Sequence, residues 1–176
     1  MYRAPVTIIA FVCSGWAAGC SSTEPAPQPI ATTPPAQVIF DTDFGGDADD
    51  LGAVAMLHHY ADQGDIDLLA IVSWSHEVYA LPALAAVNQF YGRPDVQLGV
   101  REVDSWRTDW NYNQVIAEQF PHDPAIVEGA EPAVTLYRRL LADASPNSIT
   151  IVTVGPLANI QNLLRSEPDT ISDETG

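Results

Sequence analysis

Between Asp41 and Asp50 the chain reads Asp41-Thr42-Asp43-Phe44-Gly45-Gly46-Asp47-Ala48-Asp49-Asp50. This stretch separates an apolar run, Val38-Ile39-Phe40, from an apolar helical pattern that begins at Leu51. Five carboxylates therefore crowd a strand-to-helix turn. Two such charges ~4 Å apart repel by roughly 4 kcal/mol at an effective dielectric of about 20. A fold bears this when a cation sits among the carboxylates or when some of them stay protonated. Oxygen-only ligands on a flexible, Gly-containing loop suit a hard cation, Ca²⁺ or Mg²⁺. A solvated helix cap would explain one or two aspartates, not five in ten residues.

The rest of the chain alternates strand and helix patterns. A strand is predicted over Gln37 to Thr42 and a helix over Asp50 to Gln63, with Gly64 as its stop. Ile66 to Ser73 is a near-continuous apolar run, as in a strand covered on both faces. A helix over Leu81 to Tyr91 precedes a third strand, Val96 to Val100. Arg101 to Glu131 is polar, aromatic and irregular, with one helix near Tyr112 to Gln119. Pro132 opens a helix to Ala142, Ile149 to Val154 is a fourth strand, and Leu157 to Arg165 is the last helix. This alternation predicts an α/β fold: an open, mainly parallel, doubly wound sheet. Ligands in such folds bind beyond the C-terminal strand ends. The acidic turn, Trp74-Ser75-His76-Glu77 and Val154-Gly155 all follow strands, so they fall on one sheet edge.

Two acidic motifs fail on inspection. An EF-hand loop counted from Asp41 needs a glutamate at its twelfth position, where Gly52 stands, and a helix ahead of it. The strand-Asp-x-Asp pattern of haloacid-dehalogenase-type phosphotransferases expects Thr or Val where Phe44 stands, and usually a lysine, which this chain lacks. Asp41-Thr42-Asp43-x-Gly45 followed by Asp49-Asp50 and an apolar helix instead resembles the signature of the inosine-uridine-preferring nucleoside hydrolases. Ile149 to Val154 followed by Gly155-Pro156-Leu157-Ala158-Asn159 is similar to a second segment of that family. The resemblance covers Val38 to Arg165.

That resemblance implies a tightly bound Ca²⁺ and hydrolysis of the N-glycosidic bond of ribonucleosides. By position, Asp43 is the metal ligand and the general base, Asp50 the bidentate metal ligand, and Val154 the residue whose backbone carbonyl reaches the metal. Asp49 matches the carboxylate on the ribose hydroxyls. The turn is longer than the family's commonest form, which adds Asp47 and keeps both Asp47 and Asp49 open for that role. His76 and Glu77 stand at the substrate edge, Glu77 where the family often has asparagine. Family members continue well past the matched portion, and their later half supplies a further metal-binding aspartate and a histidine near the leaving base. The alternative implied is a non-catalytic chain that keeps part of a Ca²⁺ site. Without the later half, apolar sheet faces are expected to promote self-association, and the 176 residues are expected to be inactive on inosine and uridine. Were turnover seen, His122 would be the first leaving-group acid to test.

The first residues read as an export signal: Arg3, an apolar stretch from Val6 to Ala18, then small residues. Ala17-Ala18-Gly19-Cys20 is similar to a bacterial lipobox. This gives a signal over residues 1–19, a lipidated Cys20 and Pro-rich tether over residues 20–36, and the globular portion over residues 37–176. The protein is then expected to be exported and anchored to the bacterial cell envelope, touching membrane only through its lipid. Lys and Arg total 7 against 23 Asp and Glu, a formal charge of −16. Such a surface repels nucleic-acid polymers and anionic head groups but accommodates a small neutral nucleoside. His58 and His59 are adjacent on a helix and point apart, so they form no common site. Trp106, Trp110 and Tyr112 could stack on a base, but aromatic residues of such a loop more often pack beneath it.

Overall fold

A computed structural model describes residues 34–75, 77–101 and 112–176. Strand β1 (Ala36–Thr42) leads into helix α1 (Asp49–Gln63), followed by β2 (Ile66–Ser73), α2 (Ala80–Phe90) and β3 (Gln97–Val100). Helices α3 (Tyr112–Gln119) and α4 (Pro124–Glu128) precede a two-residue β4 (Glu131–Pro132), then α5 (Ala133–Ala142), β5 (Ile149–Thr153) and α6 (Ala158–Leu164). The strands form one sheet in the order β4-β3-β2-β1-β5, and every pairing is parallel. The expected α/β fold with a parallel sheet is therefore present.

Apolar alternation along the strands builds two cores. Val38, Phe40, Leu68, Ile71 and Leu98 face α1 and α2, where Val54, Ala83, Leu84 and Val87 pack on them. Ile39, Ala70 and Val72 face the opposite side and meet Leu136 and Tyr137 of α5 and Leu163 of α6. The sheet is thus wound on both faces. A register shift between Val38 and Ile39 skips Leu69 on β2, which is how Leu69 and Ala70, adjacent in sequence, both reach the second core. At the outer strand the cover thins: Val152 and Val154 are exposed, as are Leu157 and Leu164 beyond it.

Helix α1 ends as its sequence predicts. Gly64 takes φ 78°, and Asp65 N–H donates to the Tyr60 carbonyl at 3.0 Å, closing the last turn. Two expectations are corrected. Pro132 does more than open a helix as the N-cap of Ala133–Ala142; it is also the second residue of an unexpected edge strand, paired with Val100. Proline lacks the N–H that an inner strand must donate, but an edge strand leaves one side unpaired. Among the described residues the sheet therefore has five strands, not four. Residues 112–131 also hold two helices, not one: Asp123 caps α4 by accepting from Ala125 N–H at 2.9 Å.

Candidate functional site

The chain moves outward from β1 through β2, β3 and β4, then crosses back to place β5 on the other side of β1. The C-terminal ends of β1 and β5 therefore flank the point where strand order reverses, the crevice in which open α/β sheets hold ligands. The turn after β1 is the acidic one, and the turn after β5 carries Val154 and Gly155. Trp74 and Glu77 follow β2 on the same edge, as expected.

Helix α3 holds the acidic turn from outside. Phe44 is fully buried and meets the Tyr112 ring edge-on, with centroids 5.3 Å apart. Asn113 Nδ2 donates to the Phe44 carbonyl at 2.8 Å. Gly45 takes φ 128°, and a Cβ there would lie 2.2 Å from Asn113 Nδ2, so this position requires glycine. Tyr112 packs beneath the turn, the commoner fate of such an aromatic, rather than standing free to stack on a base.

Carboxylate oxygens of Asp47, Asp49 and Asp50 lie within 4.8 Å of one another, a set that could hold a metal ion. Asp50 is buried, Asp47 and Asp49 exposed. The Thr42 hydroxyl donates to Asp50 Oδ1 at 2.5 Å. Burial pushes the Asp50 pKa up to about 6 against the pull of that hydrogen bond, and the charges of Asp43, Asp49 and Asp47 add to the rise. The side chains of Asp47 and Asp49 interact so that the pKa of Asp47 is raised and that of Asp49 lowered. Asp43, expected as a metal ligand, is half-buried and outside this converging set. It abuts the opposite turn: a Cβ on Gly155 would sit 2.8 Å from both the Asp43 backbone nitrogen and its Oδ1. Val154 N–H donates to the Asp41 carbonyl at 3.0 Å, and its side chain is exposed.

The first aspartate of the stretch faces the other way. Asp41 is fully buried, and its Oδ2 accepts from the Tyr137 hydroxyl at 2.7 Å and from Asn159 Nδ2 at 3.0 Å. Burial raises its pKa to about 6, against those two hydrogen bonds, with a further upward push from Asp43. Sequence reasoning assigns no role to this side chain, to Tyr137 or to Asn159. Asn159 could have been found, since it closes the Gly155-Pro156-Leu157-Ala158-Asn159 segment; Tyr137 sits at an ordinary core position of its helix and carried no signal.

The remaining candidates separate. Glu77 Oε2 accepts from Tyr79 N–H at 3.0 Å, fixing the turn into α2, while Oε1 is buried without a partner among the described residues. His76, Cys20, Trp106 and Trp110 lie outside the described residues. His58 is buried against Asn88 and stacks on Tyr91, whereas His59 points outward, as their adjacency predicts. His122 lies between α3 and α4, 3.4 Å from the Phe120 carbonyl.

No protein-family model and no curated protein matches the chain. Two solved structures resemble it: the type III effector protein XopQ complexed with adenosine diphosphate ribose, and the effector protein XOO4466. Each gives a TM-score of 0.56 at 18% identity over 74% of this chain. The chain spans 39% of the length of either. The likeness shows the fold, an α/β arrangement with a parallel sheet.

Proposed function

We propose that this chain binds a ribosyl ligand at the β1/β5 crevice and that the reaction of the site is hydrolysis of the N-glycosidic bond of ribonucleosides. The observation that carries the reading is the cluster of Asp47, Asp49 and Asp50 at the reversal of strand order. An oxygen-rich crevice whose acidic cluster has one buried member, Asp50, held by Thr42, fits a hard divalent ion, and Ca²⁺ is the ion proposed. When bound, such an ion supplies Lewis-acid chemistry that lowers the pKa of a water. Of that cluster Asp50 would hold it, joined from outside the cluster by Asp43 and the Val154 carbonyl, which leaves Asp47 and Asp49 to the substrate. Asp43 is the base that takes the proton of the attacking water. The water oxygen forms a bond to the anomeric carbon while the C–N bond breaks and its electron pair leaves with the base. Asp49 and Asp47 hold the ribose hydroxyls, with His76 and Glu77 lining the substrate edge, so binding fixes the geometry of attack.

Export and attachment to the bacterial envelope through Cys20, with residues 20–36 as tether, belong to the same proposal. A tethered hydrolase acts on scavenged nucleosides rather than on polymers, which agrees with the formal charge of −16.

The test is base release from inosine and uridine by the purified chain with millimolar Ca²⁺. Turnover that stops in EGTA and in Asp43→Ala supports hydrolysis. A second reading, ribosyl binding without turnover, is favoured by the ligand in the XopQ structure, adenosine diphosphate ribose. Ca²⁺-dependent binding of that molecule with no base release would select it. Absence of both sinks the proposal.

A further inference from the structure

We infer that Asp41 is a positioning residue: through its backbone and side chain it brackets the turn after β5 and sets where that turn meets Asp43. The inference rests on the metal-site reading above and concerns residues to which that reading gives no part.

The geometry is specific. The Asp41 carbonyl accepts from Val154 N–H at 3.0 Å, the rung that follows the β1–β5 pairing. Its carboxylate accepts from Asn159 Nδ2 at 3.0 Å, in the first turn of α6. One residue therefore pins both ends of the segment from Val154 to Asn159. Between these pins lies Gly155, whose backbone closes on Asp43 so tightly that no side chain fits. Tyr137 reaches the same Oδ2 from α5 at 2.7 Å and locks the carboxylate against rotation. Asp41, Tyr137 and Asn159 are all buried, at 0%, 0% and 1% exposure.

Stability alone does not account for this cluster. A buried carboxylate with two donors on one oxygen, and Asp41 Oδ1 without a partner among the described residues, is no better than apolar side chains of the same volume. The cluster does what an apolar patch cannot: it gives two segments more than 110 residues apart a single relative placement, since the Asp41–Asn159 bond spans 118 positions. Groups behind metal ligands commonly act in this way, and losing one costs about 10–100-fold in metal affinity.

The experiment uses the full chain and Ca²⁺ calorimetry, with Tb³⁺ luminescence lifetimes as a count of water on the bound ion and thermal unfolding in EGTA as a control. Tyr137→Phe and Asn159→Ala change no charge; Asp41→Asn removes one. All three are expected to weaken Ca²⁺ by about tenfold or more and to shorten the Tb³⁺ lifetime. Tyr137→Phe loses a single hydroxyl and is the variant that keeps the fold. Weakening in Asp41→Asn alone would assign the effect to charge and overturn the inference. So would lower melting temperatures with unchanged affinity and lifetime. Wild-type binding with unaffected variants sinks this inference alone, whereas a wild-type chain that binds no Ca²⁺ sinks the metal reading and this inference with it.

Discussion

Raising the pH should destabilise the metal-free protein, and Asp41 and Asp50 set the size of the effect. Both carboxyls move from 3.8 to about 6 on folding, chiefly because burial disfavours the charged form. Their folded values lie above their unfolded values. The stability they contribute is therefore complete below about pH 4 and is lost as pH rises through about 6. A difference of about 2 pH units corresponds to roughly 3 kcal/mol per carboxyl, at about 1.4 kcal/mol per unit. The two groups share Asp43 as a neighbour, so their sum, about 6 kcal/mol, is an upper bound. That is a large part of the roughly 5–15 kcal/mol that holds a domain folded. Urea unfolding in EGTA, at steps from about pH 4.5 to 8, measures it. Asp50→Asn should remove its own share of the slope, and millimolar Ca²⁺ should restore stability at pH 8 because the ion favours the ionised carboxylates. Stability that is flat or rises over that range in EGTA, or a slope unchanged in Asp50→Asn, would refute the reasoning.

Three further outcomes are expected. Asp50→Ala should weaken Ca²⁺ binding by calorimetry at least tenfold, because Asp50 is the buried member of the converging carboxylates; equal affinity removes it from the site. Gly155→Ala should cost about 1–3 kcal/mol in unfolding experiments, since its new methyl meets Asp43 at 2.8 Å, and should lower Ca²⁺ affinity together with stability. Cys20→Ser should lose the label when cells are fed a radioactive fatty acid; label retained on the variant means that the lipobox reading fails.

Much of the fold was legible because β1 and β2 are buried on both faces, which forces near-continuous apolar runs such as Leu68 to Val72. Helix α3, Tyr112 to Gln119, has the bounds that its sequence predicts. Strand β4 was hidden because two residues carry no periodicity, and a proline ahead of an amphipathic helix has the same pattern whether it opens the helix or ends an edge strand. At the site, the acidic turn stood out because five like charges so close together need a physical reason. The convergence of Asp47 with Asp49 and Asp50 was not readable, since the course of a Gly-Gly turn depends on what clasps it, here Asn113 from a helix 69 positions away. Tyr137 was invisible for a plainer reason: a tyrosine among Leu136, Leu140 and Leu141 looks like core, and its hydroxyl partner lies 96 positions back.

The strand order has a consequence for how the molecule is made. On the ribosome β1 emerges first, and its partner β2 follows within about 30 residues, but its other neighbour waits for β5. At roughly 5–20 residues per second, the 118 positions between Asp41 and Asn159 take about 6–24 s to synthesise. Until β5 is made one edge of β1 is bare, and the carboxylate of Asp41 lacks its Tyr137 donor for the first 96 of those positions and its Asn159 donor for all 118. Parallel pairings this distant in sequence form slowly in any case, because the connecting chain must be closed before the contacts are gained. The acidic turn is thus the earliest part of the site to be translated and among the last to acquire its shape.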